Sequence, residues 1–417
     1  KTDSNIEFSE LDLPGLEFYI SGEVNSALQL YWMLSAEVKQ VMLTPDKEKT
    51  IYLGSQEVIQ PSHLSSQNSI CPNSPRSFSG FRVLHDYFSF MEKFLFIKIM
   101  NLEKLIWPKQ CHECVIEITF KKQEGSSLNM NTAQLQINCV PAVNLYSATS
   151  EPIAYTGERY QYIVHPDISY EDSVNIYSVD SVTGVDPRTL NQFQYIEFPN
   201  ISKENQSDGF YQIKKQGLGK NKEVLYLRLT DKNKMPQTLS CKLTVSNGCY
   251  PHLYIHENTE MMTASDLPRF LQVRNLTKPS PFLLNPNKKG TTWEFLKHWT
   301  INRDSLSNIE NLKSLLNSYH WGCQYDHNNR IDGLHKITMS LKNKIKNGVF
   351  QQGVNIQLEV DEALYFGFGD IYCFGSVLHQ LFIEYVAMNW FLDMQLICIP
   401  SGKEFLWKTD SGKLWPI

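Results

Sequence analysis

The sequence predicts an α+β, β-rich chain of several domains. It combines antiparallel sheets, a central β-sandwich-like domain and a mixed C-terminal domain with an amphipathic helix. Three observations predict this. At 417 residues the chain is longer than one ordinary core accommodates. From Pro141 to Val245, short apolar runs recur with Gly, Pro, Asp and Asn between them, the texture of an all-β domain. On either side, apolar residues three and four apart alternate with strand-like runs. The expected divisions are 1–140, a mixed α/β domain; 141–265, the sandwich-like domain; and 266–417, the α+β C-terminal domain.

In the first division, Leu16–Ile20 alternates like a half-buried strand and stops at Ser21-Gly22. Asn25 or Ser26 can cap a helix in which Ala27, Leu30, Tyr31, Leu34 and Val38 form one stripe. Val41–Leu43 and Ile51–Leu53 read as strands, and 60–76 as a polar surface loop. Residues 79–96 organise the domain. Val83, Leu84, Tyr87 and Phe88 stack on one face of a short helix capped by Ser79 and Gly80, and Phe94–Ile99 reads as a buried strand. Val115–Phe120 and Leu135–Cys139 read as paired strands across a polar turn.

The middle division carries expected strands at 161–164, 174–182, 192–198, 210–213, 224–229 and 239–245. In the last, Trp293, Leu296 and Trp299 have helical spacing. Ser307-Asn308-Ile309-Glu310 is a capping box opening a helix with Ile309, Leu312, Leu315, Leu316 and Tyr319 inward. Asn355–Val360 is a strand. A final helix is expected to begin near Ser376 and run to Met388-Asn389, with Gln380, Glu384 and Ala387 open to water or a partner.

Bulk properties exclude several function classes. A net charge of −5 offers no electrostatic basis for binding nucleic acid or an anionic membrane. The richest apolar stretch, Leu378–Cys398, carries Glu384 and Asp393, so direct membrane insertion is not expected. Nine scattered cysteines suit free thiols in a reducing compartment. The polar start, Lys1–Glu10, reads as the interior of something longer.

Cys111-His112-Glu113-Cys114 is a single CxxC pair, whereas a structural zinc site wants four ligands, so it reads as two thiols at a strand start. Gly367-Phe368-Gly369 with Gly375-Ser376 lacks the lysine of a phosphate loop and reads as a turn into the last helix. No GxSxG or HExxH occurs. No catalytic, metal or cofactor-binding residue is therefore expected, and no cofactor. His298, His335 and His379 read as surface or interface residues. Trp293, Trp299, Trp321, Trp390, Trp407 and Trp415 crowd the last third as core or interface anchors. Asn302 and Asn389, on apolar helical stretches, demand hydrogen-bond partners in the fold or across an interface. The alternative is a β-sandwich carbohydrate-binding or glycan-hydrolysing protein using the Trp-rich third. It needs two facing carboxylates from Asp361, Glu362 and Asp370, and adjacent Asp361 and Glu362 point to opposite faces of a strand.

The pattern Gly80-Phe81-Arg82, His85-Asp86-Tyr87-Phe88, Glu92-Lys93-Phe94 resembles the signature segment of the TssF family, also called ImpG or VasA. Asn138-Cys139-Val140-Pro141-Ala142-Val143-Asn144-Leu145-Tyr146, followed by Glu151-Pro152-Ile153, is similar to its Asn-Cys-x-Pro-x-x-Asn-Leu-aromatic motif. Trp293–Ser305 and Phe374-Gly375-Ser376-Val377-Leu378 with Ala387-Met388-Asn389-Trp390-Phe391 resemble its later segments, in the same order. Phe90-Met91 stands where the family shows Phe-Pro, and the helical region that usually precedes this point is not matched. These are baseplate proteins of bacterial type VI secretion systems. The resemblance implies a non-enzymatic wedge subunit that scaffolds the contractile sheath on the spike. It implies as partners a TssG-like subunit, a second copy of the chain, TssE-like and TssK-like subunits and the VgrG spike. It also implies a cytoplasmic place, docked to the inner-membrane complex through other subunits. Under this reading Phe81, Tyr87, Phe88, Trp293, Trp299, Asn302, Asn389 and Trp390 are the candidate interface residues.

Overall fold

A computed structural model describes residues 2, 6–46, 49–72, 78–121, 134–168, 174–198, 208–217, 223–231, 235–262, 268, 270–283, 305–320, 327–346 and 348–413. The architecture is α+β and rich in strands, as expected. The chain forms two compact units, one from Lys1–Ala142 with Gly290–Ile417, the other from Val143–Lys289. The first and last stretches of the chain, assigned to separate divisions from the sequence, thus share one unit. Among the described residues no helix is long and apolar enough to cross a membrane.

Among the described residues the first unit holds three sheets. The strand β1 (Gly15–Ile20) is flanked by β5 (Phe96–Met100) and β7 (Leu135–Gln136), with β4 (Ile59–Pro61) beyond β5. A second sheet has the order β3-β2-β6, from β2 (Val38–Pro45), β3 (Ile51–Gly54) and β6 (Cys114–Phe120). Residues 115–120 and 135–139 therefore do not pair with each other: β6 pairs with β2, and β7 with β1. The third sheet runs β18 (Leu334–Lys346), β19 (Val349–Asp361), β20 (Phe391–Ile399), β21 (Glu404–Leu406), with β22 (Asp410–Ser411) also on β20.

Among the described residues five α-helices belong to this unit: α1 (Val24–Ala36), α2 (Ser79–Ser89), α4 (Ile309–Asn317), α5 (His327–Asp332) and α6 (Phe368–Tyr385). The unit is organised around α6. Strands β19 and β20 are parallel, so the chain between them must cross over, and α6 is that crossover. Every residue of α6 except Phe368 and Gln380 is buried. A helix apolar all round is one enclosed on all sides, and α6 packs against α1, α2 and β20. Helix α1 is enclosed likewise, burying Leu28, Trp32 and Met33 as well as Ala27, Leu30, Tyr31 and Leu34 of the expected stripe, whose last member, Val38, opens β2 instead. The two helices meet closely: a Cβ on Gly369 would lie 2.4 Å from the Leu28 carbonyl. Helix α6 starts eight residues ahead of the expected Ser376 and ends before Met388 and Asn389. Of its expected open face, Glu384 is buried, Gln380 is half-buried, and Ala387 lies beyond the helix, half-buried.

In the second unit, eight strands make one sheet. They are β8 (Tyr146–Thr149), β9 (Ile153–Tyr155), β10 (Tyr162–Ile163), β11 (Asn175–Val185), β12 (Gln192–Glu197), β13 (Gly209–Gly217), β14 (Glu223–Asp231) and β15 (Gln237–Ser246). The order is β10-β14-β13-β12-β11-β15-β8, with β9 also on β15. Alternation puts Leu239, Cys241, Leu243 and Val245 inward from β15. They join Val182, Tyr211, Leu225 and Leu227 in one core, so distant strands of the sheet close over shared apolar residues. A short helix α3 (Tyr250–Tyr254) and a two-stranded ribbon, β16 (Glu260–Met261) with β17 (Val273–Arg274), follow.

Candidate protein–protein interface

Helix α2 carries the first candidate residues. Phe78 stands as its N-cap, one residue ahead of the expected caps. The stripe of Val83, Leu84, Tyr87 and Phe88 is buried, as its spacing predicts. Tyr87 is enclosed by the rings of Phe88, Phe94 and Phe374, with centroids 5.3, 5.8 and 5.6 Å away. Phe88 lies edge-on to His320 at 6.0 Å. Tyr87 and Phe88 are thus core residues of this unit, a revision of their expected interface role: the apolar face of α2 is consumed in seating α6. Phe81 is half-buried between Phe78 and Tyr319, at 4.9 and 5.7 Å.

The Asp86 carboxylate of α2 takes a hydrogen bond from the buried Lys93 ammonium, and Ser69 Oγ donates to its other oxygen at 3.3 Å. Burial alone would raise the Asp86 carboxyl, but His85 and Lys93 beside it outweigh that and hold it below the usual carboxylate range. This signature segment therefore fastens α2 to the 3-10 turn Met91–Phe94 that follows it through a buried ion pair.

The remaining candidates fall elsewhere. Asn389 lies in an exposed turn after α6, not on an apolar helical face, and Trp390 is half-buried beside it. The Trp390 N–H donates to the Ala387 carbonyl at 2.8 Å. Trp293, Trp299 and Asn302 lie outside the described residues, as do Trp321, Trp415 and His298. Trp407 stacks on Tyr372 at 5.4 Å and donates to Ser376 Oγ at 3.0 Å. His379 is buried against Trp407, not at the surface, because α6 is enclosed all round. Desolvation, with Lys413 nearby, depresses its pKa to about 4.

The carboxylates of the carbohydrate reading do not converge. Asp370 is buried against Arg330. Asp361 Oδ1 accepts the Ala363 N–H at 3.0 Å, and Glu362 takes the Ser401 hydroxyl at 2.5 Å. Each is used locally, and that reading has no support here. The Cys111 thiol is buried, and desolvation together with Asp46 pushes it up to about 11, so it stays protonated. Among the described residues no three His, Cys, Asp or Glu are grouped to hold a metal ion.

Sequence reasoning missed two surfaces. Between Tyr250 and Leu283 no described side chain is buried. Tyr250, Leu253, Tyr254, Met262 and Phe270 are all exposed there. Hydrogen bonds hold the segment: His252 Nδ1–H donates to the Pro279 carbonyl at 2.7 Å, and Asn275 Nδ2 to His256 O at 2.8 Å. The second is the β18–β19 hairpin, where Leu341, Ile345 and Phe350 are 67%, 77% and 62% exposed. Asn347-Gly348 between two alternating runs was a readable hairpin signal. The exposure was not readable, because it depends on where β20 ends. Ordered aromatic and aliphatic surface of this kind marks interaction sites.

The chain was compared with known proteins. The chain is 21% identical over 446 residues to the type VI secretion system component TssF1 of Pseudomonas aeruginosa, covering 99% of this chain and 71% of that protein. Its fold matches a chain in a cryo-electron microscopy structure of the type VI secretion TssK-TssF-TssG baseplate subcomplex, with a TM-score of 0.85. That match has 24% identity and covers 98% of this chain and 77% of the other. A chain of another type VI secretion baseplate complex matches with a TM-score of 0.65 and 19% identity over 99% of this chain and 73% of that one. The family model for TssF of the type VI secretion system matches residues 1–413. The chain belongs to the TssF family of the type VI secretion system.

Proposed function

We propose that this chain is a wedge subunit of a type VI secretion baseplate, a scaffold on which the contractile sheath assembles. The observation that carries the reading is the family match from residue 1 to residue 413. The fold supports it with exposed apolar side chains on the Tyr250–Leu283 segment, where no described side chain is buried. An ordered segment without a core gains little against its conformational entropy, and covering it with a partner supplies the missing burial. In this reading the partners are TssG-like and TssK-like subunits, together with a second copy of the chain, a TssE-like subunit and the VgrG spike. The protein works in the cytoplasm, docks to the inner-membrane complex through other subunits, and performs no catalysis. Phe81, Asn389 and Trp390, with Trp293, Trp299 and Asn302, are proposed contact positions.

The test is complementation of a host lacking this chain. A Leu253→Asp/Tyr254→Asp variant changes two exposed side chains and leaves both cores alone. It is expected to accumulate like the parent yet fail to support sheath assembly. Normal assembly by that variant would remove the segment from the wedge contacts.

A further inference from the structure

The β18–β19 hairpin reaches past the rest of its sheet. Its register runs from Leu334 opposite Val360 to Lys346 opposite Val349, whereas β20 pairs with β19 only from Gly353 to Asp361. The strands either side of Gly348, from Asn343 to Gln352, therefore stand beyond the end of β20. Among the described residues β18 pairs with no strand on its side away from β19. Its outer backbone groups present an unpaired edge there.

The two faces of this projection differ. Ile337, Met339, Leu341 and Ile345 share one face of β18, opposite Leu358, Ile356, Val354 and Phe350 of β19. Ile337 is buried and Met339 half-buried, while Leu341 and Ile345 are exposed. The apolar face of the unit thus continues outward, and among the described residues nothing of the unit covers it. On the other face Lys342 and Lys344 reach across β19 to Asp393 of β20, at 2.9 and 2.8 Å. Gly353, between Lys342 and Phe391 in the register, offers no side chain to block them. Two ammonium groups share one carboxylate, and from Leu341 to Gln352 the sequence holds three lysines and no acidic residue.

We propose that the free edge of β18 receives an extended, acidic segment of another protein as an added strand. The backbone of that segment pairs with the outer N–H and C=O groups of β18. Its apolar side chains lie beside Leu341 and Ile345, and its carboxylates on the other face meet the lysines. A second copy of β18 does not fit. Two-fold antiparallel pairing centred on any residue from Ser340 to Lys344 sets at least one lysine opposite another. The inference stands on the hairpin and does not depend on the wedge reading.

The test uses the whole chain and a blocked, fluorescein-labelled ten-residue peptide of alternating Glu and Val. A Lys-and-Val peptide of the same length serves as control. The Glu peptide is expected to bind saturably, and at saturation to slow amide exchange across residues 338–346 by about tenfold or more. The Lys peptide is expected not to bind. Ile345→Asp, at an exposed position, is expected to weaken binding about tenfold by removing apolar contact and adding like charge. Equal binding of both peptides, or no slowing within β18, would overturn the proposal. So would a dimer of the chain itself that Ile345→Asp dissolves, since the edge would then belong to a second copy. Peptide binding by a chain that recovers no baseplate partner would leave this inference standing and count against the wedge reading alone.

Discussion

Arg330 Nε donates to the Asp370 carboxylate at 2.9 Å, and both side chains are 1% exposed. The pair joins the short helix α5 to the first turn of α6. There the carboxylate also meets the positive end of the helix dipole and the Phe366 N–H at 3.2 Å. The Tyr365 hydroxyl closes the arrangement by donating to the Arg330 carbonyl at 2.7 Å.

Removing one partner leaves a buried charge. Asp370→Ala is expected to cost about 3–5 kcal/mol of stability, whereas Arg330→Met with Asp370→Leu costs much less, because two buried charges vanish together. Urea unfolding midpoints of the three proteins measure this. Equal losses in the single and double variants would contradict it.

The approach of Gly369 to α1 makes a second prediction. A Cβ there would lie 2.4 Å from the Leu28 carbonyl and 2.6 Å from the Gln29 nitrogen, and backbone cannot give way as a flexible side chain can. Gly369→Ala is expected to cost at least about 1–3 kcal/mol by forcing α1 and α6 apart. At Gly402 a Cβ would meet nothing within 4 Å and φ is +69°, so Gly402→Ala is expected to cost only about 1 kcal/mol of backbone strain. Thermal unfolding of the two variants separates contact from strain.

How much of this was legible beforehand depended on the range of the cause. Val83, Leu84, Tyr87 and Phe88 were read correctly as one buried stripe because periodicity alone dictates it. Six strands of the second unit's sheet, β10 to β15, were placed within a few residues, since alternation and turn residues are local signals, whereas the short β8 and β9 were missed. Helix α6 was misread at its start. Gly367 and Gly369 look like a turn, and Gly367 does adopt φ +131°, but Gly369 is helical and small because α1 passes it. The burial of Glu384 and His379 has the same long-range origin. So do the pairing of β7 with β1 and the joining of 1–142 with 290–417 in one unit.

His379 predicts an acid sensitivity. Its ordinary pKa of 6.5 falls to about 4 on folding, first through desolvation and then through Lys413. The unfolded chain takes up a proton near 6.5 and the folded chain only near 4. Stability therefore falls as pH drops between those values, by about 3 kcal/mol in all, and this contribution is constant below them. Denaturant midpoints from pH 7 to 4 for the parent and His379→Leu check it: the variant is expected to lose that slope.

Asp393 has the same sense at lower pH, from a different cause. Burial would raise its carboxyl, but hydrogen bonds from Lys344, Thr409 and Lys342 prevail and set it at about 2. Its contribution is complete above the ordinary carboxylate value of 3.8 and is lost as pH falls through about 2. At neutral pH, Asp393→Asn is expected to speed amide exchange across 341–352 while leaving α6 unchanged. An unchanged hairpin would show that these ion pairs do not hold it.

The most direct measurement is quantitative mass spectrometry of what copurifies with this chain from its native host. The wedge assignment predicts a TssG-like subunit together with about twice as many copies of this chain. Recovery of the chain alone, as a monomer without any baseplate subunit, would contradict it.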